Sequence, residues 1–166
     1  MTEDNEGHNN HIKGIGGWLW LVAIGVTLSP LINLAADITT FSELLNEDTW
    51  SQLTDNNSIY YTPFFAVLIY FEIGYAIIID GLLFYLVYLF YGKNSTFPPL
   101  YIKLVFAVLI LSLVDIFFAS LVFPELTVGE LFDTETLKGI FQTLIAICIW
   151  VPYMKKSIRV KNTFVN

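Results

Sequence analysis

Four long apolar stretches separated by polar ones account for most of this chain, at about 15–36, 62–91, 100–123 and 137–154. A helix needs about 20 predominantly apolar residues to cross a hydrocarbon core of about 30 Å. The pattern therefore predicts an all-α polytopic membrane protein, with one four-helix transmembrane domain over residues 15–154. The second stretch is longer than a perpendicular crossing requires, so it should tilt or project beyond the bilayer.

The polar segments add detail. Residues 1–14 carry Glu3, Asp4, Glu6, His8 and His11 among Asn and Gly, cannot build a core, and predict a disordered tail. His8 and His11 are three apart but lack the further ligands of a structural metal site, so no metal is expected. The loops at 38–60 and 124–136 are acidic. In the first, Thr40 to Glu43 fits a capping box, with Phe41, Leu44 and Leu45 at helical spacing; this predicts a short surface helix. Trp50 and Leu53 would continue its apolar side onto the membrane. Asp37 is expected near water, at the far end of the first span. Pro30 predicts a bend within that span, and Gly25 and Ser29 give it a small face for another helix. Pro98 and Pro99 predict a turn leading into the third span.

Composition fits this reading: 55% of residues are hydrophobic, 14% are charged, and mean hydropathy is +0.64. The net charge of −7 conceals a separation of sign. With four spans, Lys13, Lys93, Lys103, Lys155, Lys156, Arg159 and Lys161 share one side, and only Lys138 lies on the other. By the positive-inside rule both termini are cytoplasmic and the acidic loops face outward. The basic tail at 155–166 directly follows Trp150, Pro152 and Tyr153, an aromatic interface. Lys155, Lys156, Arg159 and Lys161 are accordingly candidates for contact with lipid headgroups or a partner. Cys148 is the only cysteine, which excludes an intramolecular disulfide and C-x-x-C redox chemistry.

Three motifs carry a family resemblance. They are Gly16-Gly17-Trp18-Leu19 opening the first span, Phe97-Pro98-Pro99-Leu100-Tyr101-Ile102 at the third, and Ile149-Trp150-Val151-Pro152-Tyr153 followed by Ser157-Ile158-Arg159-Val160-Lys161-Asn162-Thr163-Phe164-Val165. From Gly14 onward the chain resembles the bacterial family called domain of unknown function 2569. The C-terminal motif is the most specific part, and within it Ile158 stands where Lys or Arg is common. The resemblance implies a four-helix protein of the bacterial inner membrane and no established activity, substrate or catalytic residue.

Three carboxyl residues fall inside spans: Glu72 and Asp80 in the second, and Asp115 in the third. An ionised carboxylate is costly in hydrocarbon, so such residues usually face a partner, the protein interior or water. At about 1.5 Å per residue, Glu72 and Asp115 each lie roughly 9 to 13 Å from the outer ends of their spans. Two acids at one depth on adjoining helices could meet. Desolvation and like-charge repulsion would then oppose ionising both, leaving a pair able to bind a cation or relay a proton. Asp80 lies about 80° around the helix from Glu72 and closer to the cytoplasmic side. The alternative is that each acid is hydrogen-bonded to a neighbour such as Tyr70, Tyr75, Thr27, Ser112 or Asn33.

Enzyme signatures are lacking. No His lies within a span to ligate haem, and no H-E-x-x-H, G-x-S-x-G, P-loop or G-x-G-x-x-G occurs. No cofactor is expected, nor any nucleic-acid partner, since the basic cluster adjoins a membrane helix. The leading expectation is a non-catalytic accessory or interaction subunit, surrounded by lipid and bound to a membrane protein or to copies of itself. The alternative is a component of a proton- or cation-coupled transporter or channel, using Glu72, Asp115 and Asp80.

Overall fold

The computed structural model describes residues 13–166. The expectations for His8, His11 and nearly all of the N-terminal tail lie outside the described residues. Among the described residues seven helices follow in order: α1 (Leu19–Leu44), α2 (Glu47–Thr54), α3 (Phe65–Tyr91), α4 (Phe97–Val122), α5 (Val128–Leu131), α6 (Thr134–Lys156) and α7 (Ile158–Thr163). The four long ones, of 23 to 27 residues, are long and apolar enough to cross a membrane, and this is a multi-pass membrane protein. In lipid a helix is favoured because it satisfies its own backbone groups.

Packing follows chain order. α1 packs on α3, α3 on α4 and α4 on α6, while α1 and α6 share no comparable contact. The bundle is a curved row whose first and last members flank a cleft. Its main core lies at one end, where Leu19, Phe90, Phe97, Leu89 and Val160 are almost fully buried. Both described chain ends lie here too. Gly14 N–H donates to Thr163 Oγ1 at 2.9 Å, and Asn166 Nδ2 donates to the Gly92 carbonyl between α3 and α4 at 3.1 Å. We call this the terminal end, and the opposite one the loop end.

Several boundaries differ from the sequence expectation, each for a local reason. α1 runs past residue 36 to Leu44, so Thr40 lies within a helix rather than capping one. The Thr39 and Ser42 hydroxyls donate back to the Ala35 and Thr39 carbonyls, so polar side chains do not interrupt the helix. The new helix, α2, begins later, with Asn46 accepting from Asp48 N–H at 3.0 Å. Trp50 packs on the Phe65 and Tyr70 rings, with centroids 6.0 and 5.6 Å away, and Leu53 joins the same cluster. Pro98 and Pro99 sit in the first turn of α4 instead of before it, where a missing N–H costs nothing. Pro30, within α1, leaves the Val26 carbonyl without its usual donor, and the Ser29 hydroxyl fills that role at 3.4 Å.

The C-terminal segment folds back instead of trailing into solvent. Ser157 caps α7, whose Val160 and Thr163 are buried, and Phe164 stacks on Phe97 with centroids 4.7 Å apart. Asn166 then makes backbone hydrogen bonds with Ser95 and Lys93, at 2.8 and 3.3 Å.

Candidate intramembrane carboxyl site

α3 and α4 run antiparallel through a short turn at the terminal end, so residues equally far from that turn meet. Glu72 and Asp115 each lie seven residues from the loop end of their helix. Their carboxyls adjoin, within electrostatic range of each other. A carboxylate only accepts, so a hydrogen bond between the two requires one of them to carry a proton. Asp115 Oδ1 is buried and has no hydrogen-bond partner among the described residues.

Asp80 belongs to a second group, on the α1 side of α3. It is 8% exposed and accepts from Asn33 Nδ2 at 2.9 Å. Asn33 also reaches Asp37 Oδ2, at 3.3 Å, and the Asp37 and Asp80 carboxyls adjoin. Asp37 is thus a half-buried member of this group, and α1 continues beyond it by two turns. Tyr75 stands between the groups, within electrostatic range of Asp115, Glu72 and Asp37.

Of the other neighbours expected for these acids, Thr27 bonds the Ala23 carbonyl and Tyr91 Oη, Ser112 bonds the Val108 carbonyl, and Tyr70 lies on Trp50. No base offsets the acids: among the described residues the one ion pair is Lys138 with Glu135, at 3.6 Å and on the surface.

A cleft of about 630 Å³ lies among α1, α3, α4 and α6, lined mostly by apolar side chains such as Val22, Val26, Leu86 and Leu104, with Ser29, Ser112, Gln142 and Thr143 as its polar members and Gly25 and Gly139 on its outer helices. Ser29 and Asn33 are four apart and Ser112 and Asp115 three apart, so each pair shares a helix face. None of the carboxyl groups lines the cleft itself. Sequence reasoning passed over Gln142, although a carboxamide inside an apolar run invites the same question as a carboxylate there.

The four basic candidates are not alike. Lys155, Lys156 and Lys161 are exposed, whereas Arg159 is half-buried, with Nη1 3.5 Å from the Gly14 carbonyl. A Cβ on Gly16 would come within 2.7 Å of that same nitrogen, so the glycine makes room for the guanidinium. Gly16-Gly17-Trp18 and the C-terminal motif are thus two halves of one contact, completed by Trp18 against Trp150 with centroids 6.4 Å apart.

The sequence matches the family described as Protein of unknown function (DUF2569) over residues 12–165. The chain belongs to the DUF2569 family. No curated protein and no solved structure matches it. In this DUF2569 protein the residues that carry the family resemblance build the terminal end, and the carboxyl groups lie away from them.

Proposed function

We propose that this is a bacterial inner-membrane protein, with both chain ends cytoplasmic, that handles protons or cations through its paired carboxyls as a component of a transporter or channel. It performs no catalysis. One observation carries the reading: Glu72 meets Asp115 within the helical bundle, with no Lys or Arg beside them. Carboxyls that served only to position helices would be expected to turn separately onto hydroxyls or amides, as Asp80 in part does. A pair whose members face each other can instead exchange a proton or hold a cation at little structural cost. Orientation is supported by the charges, since Lys138 is the only base near the loop end.

The test is ion flux in proteoliposomes. Glu72→Gln and Asp115→Asn are each expected to abolish it while insertion and folding persist; unchanged flux would end this reading. The accessory-subunit reading retains one observation in its favour. The side between α1 and α6 is open, and Gly25 and Gly139 would each accept a Cβ without contact, leaving room for a partner helix. A co-purifying membrane protein in mild detergent, together with flux that ignores the acids, would favour it.

A further inference from the structure

We propose that the cleft between α1 and α6 is a water-filled vestibule that delivers protons to the carboxyl groups; this rests on the reading of those groups given above. Three observations carry it. The first is size: about 630 Å³ is far more than the roughly 10–15 Å³ that one water needs.

The second is chemistry. Gln142 lines the cleft and has no hydrogen-bond partner among the described residues, though its amide offers two donors and an acceptor. Ser29, Ser112 and Thr143 commit their hydroxyl protons to carbonyls of their own helices, at 3.4, 2.9 and 2.9 Å. Each oxygen keeps a lone pair for an incoming donor. Most of the wall is apolar, with Val22, Val26, Leu86 and Leu104 among its side chains; its acceptors and one free amide are the groups that water would pair and lipid tails would not.

The third is continuity. Measured from the terminal end at about 1.5 Å per residue, the cleft reaches Ser29 at about 15 Å and Ser112 at about 22 Å. By the same measure Asp80 lies at about 17 Å, level with the cleft though not in its lining, while Asp37 at about 27 Å and Glu72 with Asp115 at about 27 to 29 Å lie beyond it. Tyr75 lies along the way. Water in the cleft would reach the depth of Asp80 and stop short of Glu72 and Asp115, leaving the remaining steps side chain to side chain.

The single native cysteine makes a direct experiment possible. In a Cys148→Ser background, Gly25→Cys, Gly139→Cys and Gln142→Cys put thiols in the wall, and the two glycine sites have open space for the new side chain. Phe117→Cys, at a position 60% exposed on α4 and outside the cleft, is the comparison. In proteoliposomes, a charged thiol reagent that needs ionised, hydrated sulfur should modify the wall cysteines roughly tenfold faster or more than Phe117→Cys. Equal reactivity after unfolding in detergent checks that every thiol is intact. Wall cysteines no faster than Phe117→Cys would overturn the vestibule, even if flux still depended on Glu72. Fast wall cysteines in a protein whose flux ignores Glu72 would instead overturn proton delivery. As a second readout, Gln142→Leu should lower proton flux severalfold without moving the unfolding temperature, and unaltered flux would count against the proposal.

Discussion

The two ends of this bundle are built on different terms. At the terminal end Phe90, Phe97 and Phe164 interlock, Leu19 and Val160 are almost fully buried, and the buried Thr163 hydroxyl is paired with Gly14. Toward the loop end the buried cluster shrinks to Phe65, Leu68, Ile69 and Val122, and α3 and α4 bring the Glu72 and Asp115 carboxyls side by side. Helices in lipid gain little from the hydrophobic effect against each other and rely on close packing. Stability should therefore be concentrated where the rings interlock, and chemistry where the carboxyls meet.

The largest effect expected from this contrast is on stability. Phe97→Ala removes a fully buried ring from the terminal cluster and should cost about 3–5 kcal/mol, read from detergent-induced unfolding. Glu72→Gln, measured alongside, should cost less than about 1 kcal/mol. Equal losses would erase the distinction between the ends.

A middle-sized effect tests the group that links them. Asn33→Leu deprives Asp80 of its donor and should destabilise the fold by about 1–2 kcal/mol. Combined with Asp80→Leu, which removes the acceptor, the loss should be less than additive. Strict additivity would mean that the 2.9 Å contact contributes nothing. Thr163→Val should cost about 1 kcal/mol and speed hydrogen exchange at the Gly14 amide; an unchanged exchange rate would break the link between the two chain ends.

The smallest effect is confined to the loop end, where acids act as helix caps. Glu130 bonds Thr127 N–H and Asp133 bonds Thr136 N–H, both at 2.8 Å, and these bonds hold both carboxyls below the usual range. Since the folded values are depressed, the caps contribute fully above the ordinary range near pH 4 and are lost as pH falls through the folded values. Amides at the start of α6 should exchange faster in that window, and Asp133→Asn, which keeps a capping oxygen without the titration, should flatten the dependence.

Much of this was legible from the amino acids alone. Four apolar runs were enough for the four long helices, and the equal depth of Glu72 and Asp115 anticipated their meeting because a short turn fixes the register of α3 against α4. The end of α1 was not legible: Thr40 to Glu43 read as the capping box of a new helix, yet in a helix already formed the neighbouring Thr39 and Ser42 hydroxyls bond its own carbonyls. That error hid Asp37. The folded C-terminus was also missed, since the bases of 155–161 draw attention to charge, while Val160, Thr163 and Phe164 do the packing. Gln142 could have been found by extending to carboxamides the question asked of the carboxylates.

The central claim is that the Glu72 and Asp115 pair moves protons or cations and does not merely hold helices together. It is tested most directly by pH-gradient-driven proton flux in proteoliposomes containing wild type or Glu72→Gln, each shown beforehand to unfold at the same temperature. The account predicts wild-type flux well above that of protein-free vesicles and a return to that background with Glu72→Gln. Wild-type flux at background, or Glu72→Gln flux equal to wild type, would contradict it.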